Sequence, residues 1–369
     1  MRRPLRTPPR LTLGPGPSPV AAETLRALAT PPLGHLDPAF LAVMDETQAR
    51  LRETFRTTSP ATLAVSGTGG AGMEAVLVNL VEAGDRVVVG QAGEFGRRLA
   101  DQARRLGATV DVVEATPGAQ VPLDALRRAA ESSPTAAVAV VHAETSTGVL
   151  QDLDGLGEVC RRAGALLLVD CVTSLGGVAF AFDASGIDAA FSCSQKCLGA
   201  PPGLAPVAFS ERALERFRRR RTPPPSRYFD LGLLLDYWGG ARTYHHTLSS
   251  TLVYALHEGL GLLLDEGLDA AAARHRRVQR FLIDGLADLG LEPFVDAASR
   301  LPMVTAVRVP DGVDDAATRA ALLSRFGVEI GGGLGALKGR VWRIGHMGHG
   351  AREEAMLAVL GALRVVLGR

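Results

Sequence analysis

LLLVDCVTSLGG (residues 166–177) and IDAAFSCSQKCLGAPPG (residues 187–203) decide the fold. The apolar run from Ala165 to Val169 ends on Asp170 and reads as a buried parallel strand with a carboxylate at its C-terminal edge. A second run, Ile187 to Phe191, follows after one loop and leads into Ser192-Cys193-Ser194-Gln195-Lys196. An acid at one strand tip and a lysine just past the next is the arrangement that pyridoxal phosphate chemistry requires. The lysine forms a Schiff base and the carboxylate pairs with the pyridinium nitrogen. An isolated Asp–Lys pair also reads as two surface residues, so the surrounding motifs carry the decision.

Outward from this pair, strand-like runs alternate with amphipathic stretches from about Ala61 to Phe209. The runs are ATLAVSGT, DRVVVG, TVDVVEA, AAVAVVHAET, GALLLVD, IDAAFSCS and LAPVAFS. Among them lie helical patterns such as MEAVLVNLVEAG, RRLADQARRLG and LDALRRAAESS. The alternation predicts an α/β fold with a mainly parallel, doubly wound sheet and helices on both faces. Ligands in such sheets bind beyond the carboxyl ends of the strands. After Ser249 two long amphipathic helices lead to a small-scale mixture of strands and helices, a smaller C-terminal α+β domain. The expected division is an N-terminal extension and lead-in loop over 1–18, a large cofactor-binding domain over 19–262 and a small domain over 263–369.

Composition narrows the function. A chain of 369 residues, 47% hydrophobic and 21% charged, can bury a core of that size. Its net charge of +1 makes no electrostatic case for nucleic acid or an anionic membrane. The one basic run, Arg218 to Arg221, reads as a solvated helix face. No apolar stretch approaches the length of a membrane span, and MRRPLRTPPR has no apolar core of a secretory signal; it reads as a flexible lead-in. Cys160, Cys171, Cys193 and Cys197 form no CxxC pair and read as small buried residues of a reducing cytosol. Either Cys193 or Cys197, which flank Lys196, is placed to line a pocket. His346 and His349 lack a nearby third ligand, so no metal is expected.

Three further motifs fall at successive strand tips. Ser66-Gly67-Thr68-Gly69-Gly70-Ala71-Gly72 follows a strand and opens a helix, where free N–H groups and close backbone approach suit a phosphate; a plain tight turn is the alternative. Phe95, in a glycine-framed loop, can stack on a flat ring or plug a hydrophobic gap. Glu144-Thr145-Ser146-Thr147-Gly148 offers hydroxyls to a cofactor or substrate, or caps the next helix, although Asp152 is better placed for that.

This ordered set resembles the class V aminotransferases of the fold-type I pyridoxal phosphate enzymes, most nearly the alanine–glyoxylate and serine–pyruvate aminotransferases. GPGPS, SGTGGAGMEA, GEFG, HAETSTGVLQDLDG, SQKCLGAPPG, RTYHHT and WRIGHMG carry the resemblance from about residue 11 to the end. It implies that Lys196 holds pyridoxal 5'-phosphate and moves the proton, and that Asp170 pairs with the pyridine nitrogen. Phe95 and Val172 would flank the ring. Ser66, Gly67, Thr68 and Gln195 would serve the phosphate, and Thr147 the ring hydroxyl or its surroundings. Tyr244 and Thr247 would reach the phosphate across a homodimer interface. Arg343 would clamp the substrate carboxylate, and His35, in PPLGHLDPAF, would tune specificity. Ala92, where asparagine is common, and Cys193, where glycine is frequent, depart from the pattern. The resemblance implies a transaminase moving an amino group from alanine or serine to glyoxylate or another small 2-oxo acid, and the cysteines a cytoplasmic one. Ureidoglycine–glyoxylate transamination is the rival on the same scaffold. A non-catalytic binding protein is the rival of another class, opposed by the retained Lys196, Asp170 and Arg343. A cysteine desulfurase needs a C-terminal cysteine, and none follows Cys197.

Overall fold

The computed structural model describes residues 6–369. The seven runs form one sheet: β1 (Thr62–Ser66), β2 (Arg86–Gln91), β3 (Thr109–Glu114), β4 (Ala137–Val141), β5 (Leu166–Asp170), β6 (Ala189–Phe191) and β7 (Leu204–Phe209). Their order is β1-β7-β6-β5-β4-β2-β3. β7 runs antiparallel to both neighbours and the remaining contacts are parallel. The central strands β4 and β5 are buried at every residue, whereas the edge strand β3 carries Asp111 and Glu114 and is only partly covered. Continuous apolar runs are what strands covered by helices on both faces require. The parallel run brings the C-terminal ends of β4, β5 and β6 side by side, which sets Asp170 and the segment leading to Lys196 at one edge of the sheet.

Two helices position the site, α1 (Gly69–Leu80) and α2 (Glu94–Arg105). The basic run is more than a solvated face. Arg220 donates to the carbonyls of Asn79 and Val81, and Arg216 to that of Leu80, so cations meet the last carbonyls of α1. Those carbonyls have no intrahelical donor, and the helix dipole favours positive charge there.

The smaller lobe is an antiparallel sheet in the order Val304–Arg308, Val341–Gly345, Gly331–Gly332. It encloses its own core, with Trp342, Ile344, Leu282 and Met356 buried together. The N-terminal segment belongs to this core as well. Leu11 and Thr12 pair in parallel with Val328 and Glu329, and Leu13 is fully buried in the same cluster. Residues 1–5 of the expected flexible lead-in lie outside the described residues. Among the described residues, no helix is long and apolar enough to cross a membrane.

Candidate active site

A cavity of about 440 Å³ opens beyond the strand tips, within the range of small-ligand sites. Asp170, Val172, Phe95, Thr68, Gln195 and Lys196 line it. Asp170 ends β5 almost fully buried, its Oδ1 accepting the Val172 N–H at 2.9 Å. Burial pushes its carboxyl up to about 7, with the Val172 bond opposing and Glu144 adding repulsion. Lys196 follows β6, and burial depresses its ammonium below the ordinary lysine range. Its Nζ donates to the Pro15 carbonyl oxygen. Gly16 has φ +116°, and any Cβ there would strike the Lys196 side chain, so the GPGPS segment is shaped around the lysine. Ser18 completes that contact, donating through Oγ to Lys196 O and through N to Gln195 O, each at 2.8 Å.

At the start of α1, Thr68, Gly69 and Gly70 form part of the cavity wall, where a helix's first N–H groups suit an anion. Gln195 Oε1 is buried without a partner, and a half-turn of the amide exchanges it with the N–H₂ donor. An anion at the helix start would satisfy both. The residues present therefore fit a pyridine ring bearing a phosphate, with Asp170 for the ring nitrogen and Lys196 for the carbonyl carbon.

Two residues expected at the phosphate are committed elsewhere. The Gly67 N–H donates to Gly203 O at 2.8 Å. Ser66 Oγ lies 2.7 Å from His246 Nε2, His246 Nδ1 lies 2.7 Å from His245 Nδ1, and His245 Nε2 lies 3.1 Å from Arg227 O. The Arg227 carbonyl fixes His245 Nε2 as the donor at that end. Burial lowers His246 to about 4, which keeps it neutral. The Ser66 hydroxyl is thus engaged by histidine.

Phe95 sits in the first turn of α2 with Arg98 over its ring, 5.0 Å from the centroid. The Glu144–Thr147 turn serves this helix rather than the next one in the chain. Glu144 Oε2 accepts the N–H groups of Phe95 and Gly96 at 3.0 and 3.1 Å, and Ser146 Oγ accepts that of Glu94 at 2.9 Å. Asp152 accepts only the Asp154 N–H. Thr147 is directed away from the cavity, its hydroxyl donating to Ala92 O and Glu144 O, because its turn is wound against α2; Thr145 lines the cavity in its place. The signal for this was present: Gly93 precedes α2 and has no side chain with which to cap it. A Cβ at Gly93 would come within 2.7 Å of the Glu144 carboxyl carbon. Arg98 was likewise not singled out in sequence, since nothing local distinguishes it from Arg97.

Arg343 lies in the smaller lobe, buried, and reaches the cavity wall. Its Nε donates to Gly332 O at 2.7 Å and its Nη1 to Thr145 O at 3.1 Å. Two of the five guanidinium N–H groups are so used, leaving enough for a carboxylate fork. Burial lowers it to about 10, still cationic at neutral pH. Tyr244, Thr247 and His35 are not brought to this chain's own cavity. Tyr244 is half exposed, its hydroxyl 3.3 Å from Thr247 Oγ1 and its ring 5.0 Å from His35. The Cys193 and Cys197 thiols donate to Val172 O and Thr173 O, and burial pushes both up to about 12, so neither is a nucleophile.

The model of the aminotransferase class-V family matches residues 23–344. An alanine–glyoxylate aminotransferase from Drosophila melanogaster is 42% identical, covering 98% of this chain and 93% of the relative. The crystal structure of an alanine–glyoxylate aminotransferase from Nostoc sp. superposes with a TM-score of 0.98 at 50% identity, covering 100% of this chain and 97% of that one. That of a ureidoglycine–glyoxylate aminotransferase from Bacillus subtilis also has a TM-score of 0.98, at 41% identity and 100% and 95% coverage. With the cavity, its lysine–aspartate pair and these full-length similarities together, the chain belongs to the class V aminotransferases, pyridoxal phosphate-dependent enzymes of fold-type I.

Proposed function

We propose that this aminotransferase carries an amino group from alanine or serine to glyoxylate in two half-reactions at one site. The observation that carries the reading is that Lys196 and Asp170 line one small cavity and Arg343 is bonded to Thr145 of its wall, together with the glyoxylate-using relatives. Bound pyridoxal phosphate supplies an electron sink that lets a substrate Cα release its proton. Asp170 holds a proton at the ring nitrogen through a charge-assisted bond. Lys196, its amine desolvated, takes the proton from Cα and returns it one step later. Thr68, the first N–H groups of α1 and Gln195 bind the phosphate, and Val172 and Phe95 fix the ring between them. Arg343 orients the substrate carboxylate in both half-reactions. Arg98, which lines the cavity, is occupied by the Phe95 ring and by Glu94, which leaves it poorly disposed toward a side-chain carboxylate.

The same reading makes the enzyme a homodimer with shared sites. Exposed Leu33, Leu36, Tyr228 and Tyr244 support it, as an apolar set near the segment proposed to serve the partner's phosphate. Four buried free cysteines support a reducing, cytoplasmic setting. Ureidoglycine as donor is the second reading, favoured by the Bacillus subtilis similarity. A panel of amino donors with glyoxylate separates the two: alanine or serine turning over fastest supports the first, and ureidoglycine fastest the second.

A further inference from the structure

Glu144 is the buried ionisable group of this site to which the mechanism assigns no step. It is fully buried, yet its two oxygens take four hydrogen bonds, from the N–H groups of Phe95, Gly96 and Ser146 and from the Ser146 hydroxyl. Ser146 Oγ in turn accepts from Glu94 N–H. One carboxylate and one hydroxyl thereby cap the first three N–H groups of α2, and Phe95 stands in that turn. On the other side, the carbonyl of the next residue, Thr145, receives Arg343 Nη1, and Thr145 also lines the cavity. The turn is closed by Gly148 N–H on Glu144 O at 2.8 Å. Gly93 makes room for this arrangement, since a Cβ there would collide with both Ser146 Oγ and the Glu144 carboxyl.

We infer that Glu144 is a positioning residue that holds the ring-stacking Phe95 and the carboxylate-binding Arg343 in one rigid frame across the two lobes. The inference rests on the roles proposed above for Phe95 and Arg343. A cap alone needs only an acceptor at the helix start, as serine or aspartate at the position before α2 would supply. Here the acceptor comes instead from the strand-tip turn that also receives Arg343. The capping bond therefore ties the cofactor wall to the substrate clamp. Loss of the carboxylate frees the α2 start and removes the two Ser146 bonds that brace the turn carrying Thr145, and cofactor and substrate binding weaken in the same variant.

The test compares Glu144→Gln with Phe95→Ala and Arg343→Lys in the holoenzyme. Glutamine keeps the volume but sets an N–H₂ group against N–H donors. The cofactor dissociation constant and the amino-donor KM should both rise about tenfold or more, the scale of a lost charge-assisted bond set. The visible circular dichroism of the bound cofactor should fall, while kcat at saturation changes less than KM. Phe95→Ala should raise mainly the first constant and Arg343→Lys mainly the second. A Glu144→Gln protein with a lower melting temperature but unchanged constants and dichroism would overturn the inference and leave a simple helix cap. If Phe95→Ala and Arg343→Lys themselves change nothing, the underlying site reading fails instead. Ser146→Ala, which removes the bridge to Glu94 N–H and one of the four bonds to Glu144, should move both constants in the same direction by less. It decides the matter if Glu144→Gln does not fold, and wild-type constants in Ser146→Ala would then overturn the inference.

Discussion

The Lys196 ammonium donates to the carbonyl oxygen of Pro15, 181 positions earlier in the chain. The amine therefore rests on the N-terminal segment, which itself is sewn into the smaller lobe through Leu13. Its charge is unfavourable in this partly buried place, so it gains from exchanging the carbonyl for a covalent bond to the cofactor. Purified protein given pyridoxal phosphate should turn yellow, and borohydride should fix the adduct on the peptide containing Lys196. A protein that stays colourless and unlabelled contradicts the assignment.

Gly16 is the contact surface for that lysine. Gly16→Ala adds a methyl group to a backbone at φ +116°, where it is strained, and aims it at the Lys196 side chain. Cofactor retention measured by absorbance after gel filtration should fall sharply, while Gly70→Ala, in open space at the cavity rim, should fold normally and cost less.

Asp170 links stability to pH in the cofactor-free protein. Its folded value, about 7, lies above the unfolded one near 3.8, because burial disfavours the charge. The folded state then binds the proton more tightly, so this contribution is fully present below about pH 4 and is lost as pH rises to about 7. Thermal melts from pH 5 to 8 should show a decline in the wild type that Asp170→Asn lacks, and pyridoxal phosphate should flatten it. The same variant should bind cofactor yet lose rate in the half-reaction, on the order of 2–4 kcal/mol in barrier. Identical melting slopes, or near-normal turnover, would place Asp170 elsewhere.

Arg343→Lys retains the charge but not the fork, and lysine cannot make the paired bonds to Gly332 O, Thr145 O and a carboxylate together. The alanine KM should rise while cofactor colour persists. Glutamate should be a poor donor in the wild type; glutamate outperforming alanine shows that Arg98 or another cation receives a second carboxylate.

Tyr244 is half exposed and does not line this chain's own cavity. Tyr244→Phe should weaken cofactor binding with little change in melting temperature, and activity should fall on dilution into the monomer range. Full activity in a monomer refutes the shared site.

The strands, the main helices, the lysine–aspartate pair and the glycine-rich helix start were legible in the sequence, because each is a local signal. A buried parallel strand is a continuous apolar run, and an anion loop is a run of glycines before a helix. What the chain order could not tell was where side chains go once distant segments meet. Glu144 and Ser146 look like caps for the helix that follows them, yet they cap α2, which precedes them, because β2 and β4 are neighbours in the sheet. Ser66 looks like a phosphate donor, yet its hydroxyl is bonded to His246, 180 positions on. The stretch over 1–18 reads as an extension and entry loop, yet Leu11 pairs with Val328 and Leu13 is buried in the second core. Periodicity along the chain records which residues must be buried. The partner of each buried polar group is decided only by the three-dimensional neighbours that leave it no water to bond.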